Sequence, residues 1–149
     1  MEALLGICLA LAAVAPVASG PAAPGSELTP ATVFVPGTHF TLSWMHSIEK
    51  LRWEEDYVVQ AASAGQPLRL AAVQARVHGS AAGMEPPPNA VLRNGWYAYT
   101  PSIPFADSLP LTRSEFTADY TLCADGQCHL MAHWLASDGG VTHLTPCSR

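Results

Sequence analysis

Phe40-Thr41-Leu42-Ser43-Trp44 and Trp53-Glu54-Glu55-Asp56-Tyr57-Val58-Val59 are the stretches on which the fold class turns. In the first, Phe40, Leu42 and Trp44 alternate with Thr41 and Ser43, and His46 falls next on the apolar side. In the second, Trp53, Glu55, Tyr57 and Val59 alternate with Glu54, Asp56 and Val58. Neighbouring side chains of a strand point to opposite faces, so a period of two marks a half-buried strand.

The same period recurs downstream. Ala64-Gly65-Gln66-Pro67 reads as a turn, followed by a strand over Leu68–His78. That strand is predicted to place Ala71, Val73, Ala75 and Val77 on one face and Gln74, Arg76 and His78 on the other. Val91 to Tyr99 reads as a hairpin with Asn94-Gly95 at its tip, and Glu115 to Leu135 as a second with Asp125-Gly126 at its tip. Both turn positions of a type I′ turn need positive φ, which these dipeptides adopt at little cost. Gly79 to Asn89, with three consecutive prolines, reads as a long loop. No segment shows a convincing amphipathic helical stripe. The expectation is an all-β fold: a single antiparallel β-sandwich or open β-barrel with two clear hairpins, preceded by a signal peptide.

The ends of the chain divide it further. At 149 residues, 49% apolar, the chain fits one domain with a substantial core. Ala3 to Ala18 is an Ala/Leu-rich run followed by small residues, which reads as an export signal over residues 1–20, cut after Ser19 or Gly20. The flank carries Glu2 and no basic residue, so an uncleaved N-terminal anchor is the alternative, and a buried helix the third reading. Residues 21–33 read as a flexible Pro/Ala-rich tether, with an edge strand around 32–35, and residues 34–149 as one all-β domain. These readings place the protein in the periplasm or outside the cell, with a membrane association only if the N-terminal segment stays uncut. The net charge of −5 argues against a basic nucleic-acid footprint and against a polybasic membrane patch.

Cleavage would leave three of the four cysteines, and therefore at least one free or intermolecular thiol. With Asp125-Gly126 as a two-residue turn, Cys123 lies opposite Cys128 at a non-hydrogen-bonded pair. The Cα atoms there are about 4.5 Å apart, within disulfide range. A Cys123–Cys128 bridge is feasible and local; its rivals are reduced thiols or a bridge from either to Cys147. His129 and His133, on one strand, would stand roughly 13 Å apart and would not share an ion.

The chemistry is concentrated elsewhere. Six of the nineteen charged residues fall between Glu49 and Asp56, directly after His46. An imidazole and four carboxylates are ligand types for a divalent cation. Strand parity, however, places Glu54 and Asp56 on one face and Glu55 on the other. Lys50 and Arg52 are available as ion-pair partners, so a surface network is the plainer reading, each pair worth about 0–1 kcal/mol. Arg76 is placed to pair with Glu54 or Glu55 if its face meets this cluster. No Gly-x-Ser-x-Gly, Walker or His-Glu-x-x-His motif is present.

His46-Ser-x-Glu-Lys-x-x-Trp-Glu-Glu-Asp-Tyr57, Gly79-Ser-x-Ala-Gly-Met-Glu-Pro86, the Leu92-Arg-x-Gly-Trp96 hairpin and Phe116-Thr-x-Asp-Tyr120-x-Leu-Cys together resemble the bacterial domain of unknown function 1850 family. The resemblance implies a small exported protein with no established activity or cofactor. It also implies an association with TAXI-type TRAP transporters, with the permease or its solute-binding protein as partner. Its motif positions nominate His46, Glu49, Lys50, Trp53, Glu54, Glu55, Gly83, Met84 and Glu85, with Arg76 nearby, as one ligand- or partner-binding site. No catalytic or metal residue is nominated. The leading expectation is a non-enzymatic binding or accessory module. The rivals are a metal-dependent or acid/base enzyme using His46 with Glu49 or Glu55, and a purely structural domain.

Overall fold

The alternating stretches become two facing antiparallel sheets. The structure is a computed structural model that describes residues 3–12, 32–45, 51–61, 63–78, 89–101, 105–114 and 116–149. Twelve strands are described, in chain order: β1 (Leu5–Leu11), β2 (Thr32–Pro36), β3 (His39–Met45), β4 (Arg52–Ala61), β5 (Leu68–His78) and β6 (Val91–Arg93). They continue with β7 (Trp96–Tyr99), β8 (Phe105–Ala106), β9 (Leu109–Thr112), β10 (Thr121–Ala124), β11 (Gln127–Leu130) and β12 (Val141–Ser148). The larger sheet runs β11-β10-β3-β4-β5-β7-β6, with β8 added beside β5. The smaller runs β2-β1-β12-β9. Neither closes into a barrel, and the arrangement is sandwich-like. A single 3₁₀ turn follows β11 at Met131–His133.

The core is the layer between the sheets. From the smaller sheet come Ile7, Leu9, Val35, Leu111 and Leu144; from the larger, Phe40, Leu42, Tyr57, Val59, Leu70 and Leu122. Both hairpin tips adopt the left-handed backbone their dipeptides favour, with φ of 51° and 85° at Asn94 and Gly95 and 50° and 79° at Asp125 and Gly126.

The segment expected as a detachable leader supplies β1, a strand between β2 and β12. Ile7 is 1% exposed and Leu9 is fully buried. Gly6 leaves room for the neighbouring strand, since a Cβ there would collide with the Val35 carbonyl. Cys8 is joined to Cys147 across the β1–β12 pair. A cut after Ser19 or Gly20 would remove this strand and its disulfide; in the full chain no described cysteine is free. An apolar run of this length serves equally as a leader core or as a strand buried on both faces, and periodicity does not separate the two. Among the described residues no helix is long and apolar enough to cross a membrane.

A departure from the expected parity lies in β5. The β4–β5 register shifts between Asp56 and Tyr57: Asp56 pairs with Gln74, Tyr57 with Ala72, and Val73 is left without a partner. This bulge inverts the parity of β5. Leu70 and Ala72 therefore stand on the same face as Ala75 and Val77, and Val73, expected with them, is 48% exposed.

Candidate functional site

Strand parity separates the three acids of β4. Glu54 lies between Ser43 and Arg76 in the ladder, and Asp56 between Thr41 and Gln74. On this outer face Arg76 bonds both oxygens of Asp56, at 2.7 and 3.2 Å, and reaches Glu54 at 3.5 Å. Thr41 donates to Asp56 at 2.6 Å. The hydrogen bond to Asp56 is the main reason that the guanidinium holds its proton more tightly than usual. These side chains are 21–27% exposed, so solvent screens them, and the network contributes about 1 kcal/mol or less per pair. Of the two partners expected for Arg76, Glu54 is engaged and Glu55 is on the opposite face. Asp56 takes the stronger contact because it sits diagonal to Arg76 across the ladder.

Glu55 points the other way. It stands between Leu42 and Ala75, which are 2% and 1% exposed, so a carboxylate occupies an apolar position of the inner face. Tyr57, two residues along the same face, donates its hydroxyl to Glu55 Oε2. The Tyr57 ring is 6% exposed and stacks on Phe40 with centroids 5.3 Å apart. A cavity of about 360 Å³ opens beside the carboxylate, walled by Tyr57, Tyr99, Pro101, Phe105 and Leu109. On the side toward β3, Trp44 stacks on Trp53 at 6.3 Å and meets Tyr120 at 5.9 Å.

The Glu55 charge is felt by the phenols around it. Tyr57 is pushed far above the ordinary tyrosine range, first by burial and then by its bond to Glu55. Burial raises Tyr99 as well, with Glu55 adding to the effect. Tyr120 is raised by burial, then by Asp119 and Glu55. The folded state thus holds these phenol protons more tightly than the unfolded chain. Their contribution to stability is complete below the ordinary phenol value of about 10 and is lost as pH rises past it. The expected outcome is a urea midpoint that falls steadily above about pH 10. The tyrosinate absorbance of Tyr57, Tyr99 and Tyr120 should then appear together with loss of the folded circular dichroism signal, rather than before it.

Of the residues nominated from the sequence, Trp53, Glu54, Glu55 and Arg76 are placed, and they do not form one site. Trp53 and Glu55 share the inner face; Glu54 and Arg76 share the outer one. His46, Glu49, Lys50, Gly83, Met84 and Glu85 lie outside the described residues. Tyr57, Tyr99 and Tyr120 were not nominated. The available signal was parity: Glu55 falls between Trp53 and Tyr57 on the apolar side of an alternating strand.

Two further expectations meet the structure. Cys123 pairs with Cys128 in the ladder, Ala124 with Gln127, and the two cysteines are disulfide-bonded with Cα atoms 3.9 Å apart. His129 and His133 do not share a strand. The chain turns into the 3₁₀ segment after Leu130, which stacks the imidazoles with centroids 4.0 Å apart and both edge-on to Trp134. Rings packed face to face hold their nitrogens in separate planes, a stacking contact rather than a shared ligand set.

Residues 40–131 match the family model described as Domain of unknown function (DUF1850). No curated protein and no solved structure matches the chain.

Proposed function

We propose that this chain, which belongs to the DUF1850 family, is a non-enzymatic binding module that acts outside the cytoplasm as an accessory to a TAXI-type TRAP transporter. The observation that carries the binding part is Glu55, a carboxylate turned inward at the mouth of an aromatic-walled cavity and held by the Tyr57 hydroxyl. A charged group on an apolar face costs stability unless it is paired. An apolar concavity with a few convergent polar groups is the usual form of a ligand site. Two disulfides, Cys8–Cys147 and Cys123–Cys128, support an oxidising compartment. The transporter link rests on the motif resemblance alone.

The test is co-purification of the tagged protein with the solute-binding protein and permease of the transporter. Association should be lost with Glu55→Gln and retained with Glu54→Gln, whose side chain is on the outer face. Failure of the wild-type chain to co-purify with either component would overturn the accessory role.

A further inference from the structure

We infer that the Glu55 cavity takes a small organic cation, with a protonated amine against the carboxylate and its carbon body against the tyrosine rings. The inference deepens the binding reading above and rests on it. The first ground is charge. Among the described residues, Glu55 is the one carboxyl or basic side chain in the cavity walls, which are otherwise phenol, phenyl, proline and aliphatic surface. Both Tyr57 and Tyr99 stay protonated at any physiological pH, so they bring neutral rings and hydroxyls rather than competing charge.

The second ground is unused bonding capacity. Among the described residues Tyr57 alone hydrogen-bonds Glu55, and it uses Oε2. An ionised carboxylate has about four acceptor sites, so an ammonium N–H has room to bind. The third ground is the walls. Aromatic faces attract cations through their quadrupole. Phenylalanine is already committed, because the Arg69 guanidinium lies 3.6 Å from the Phe105 ring centroid. The Tyr57 ring is stacked on Phe40, which leaves the Tyr99 ring as the freer face for an incoming cation.

Other ligand classes fit less well. A divalent metal ion needs several oxygen ligands in a shell, and one carboxylate with neutral phenols does not supply it. An anion would meet the Glu55 charge directly. A neutral sugar or alcohol would stack on the rings but leave that charge uncompensated as water is displaced. The volume of about 360 Å³ is at the lower end of the range for small-molecule pockets, which suits a compact amine.

The experiment is an NMR titration of the full oxidised chain with three probes of nearly equal shape: n-butylammonium, 1-butanol and butyrate. Butylammonium should shift the resonances of Tyr57, Ala72 and Tyr99. It should bind about tenfold or more tightly than butanol, with butyrate silent. Glu55→Gln keeps the size and an acceptor for Tyr57, and should erase the preference for butylammonium over butanol while leaving thermal unfolding close to wild type. Tyr99→Leu should weaken butylammonium more than butanol. Equal binding of butanol and butylammonium to the wild-type chain overturns the cation assignment and leaves the cavity as a binding site. No shift with any of the three overturns the cavity itself.

Discussion

A chain lacking residues 1–20 should not fold cooperatively. The loss removes β1, which pairs along its whole length with β12 on one side and from Gly6 to Ala10 with β2 on the other. Ile7 and Leu9 leave the core, at about 1.5–3 kcal/mol each for a fully buried aliphatic side chain. Their neighbours Val35 and Leu144 lose the surface they pack on. The Cys8–Cys147 disulfide goes as well. It closes a loop of 139 residues, and the chain-entropy relation puts such a constraint at about 5 kcal/mol. Together these losses approach or exceed the 5–15 kcal/mol by which a domain is typically stable, so the whole fold rather than one edge should be lost.

The measurement is urea unfolding of the full and shortened chains, with non-reducing peptide mass spectrometry of the full one. The expected mass signature is a cross-linked pair containing Cys8 and Cys147. A shortened chain that unfolds cooperatively at the wild-type midpoint would sink the prediction. By contrast, opening Cys123–Cys128 frees a loop of sequence separation 5 inside a hairpin, worth about 2 kcal/mol by the same relation, and should leave the fold in place.

The second large effect is expected at Asp119. Arg113, 3% exposed, follows β9 and forks onto Asp119 with both contacts at 3.0 Å. Its remaining nitrogen, Nη1, donates to the Thr142 hydroxyl of β12 at 3.1 Å. Asp119 also accepts the backbone N–H groups of Tyr120 and Ala132, each at 2.9 Å. One carboxylate therefore ties the smaller sheet to the chain entering β10 and to the turn that leaves β11. Asp119→Ala would strand a buried guanidinium and two backbone donors. Breaking a buried pair in this way costs about 3–5 kcal/mol. Arg113→Met should cost less, because the more exposed Asp119 keeps its two backbone donors. The check is a double-mutant cycle by urea unfolding, with a coupling energy between the two sites of about 1–3 kcal/mol. Additivity of the two single changes would show that the fork carries no shared energy.

Local signals accounted for much of what was legible. Asn94-Gly95 and Asp125-Gly126 are turns because their own φ preferences make them so, and the second turn sets Cys123 opposite Cys128 without help from the rest of the chain. The alternation in Phe40–Trp44 and Trp53–Val59 correctly divides Glu54 and Asp56 from Glu55. What failed depended on distance. The bulge at Val73 is set by how β4 and β5 twist across each other, and it reverses the face of every residue on one side of it. The stacking of His129 on His133 needs a turn that no periodicity marks.

By itself, then, the sequence determined the class of the fold, its two tight turns, the pairing of Cys123 opposite Cys128 and the parity of β3 and β4. These follow from preferences within a few residues. Only the tertiary structure decided that Leu5–Leu11 is a core strand, that Cys8 meets Cys147, that Arg113 finds Asp119, and that Tyr57 and Tyr99 gather around Glu55. Each of those contacts is made profitable by the burial of surface from distant segments, and a hydrophobic run carries no mark of which partner will cover it.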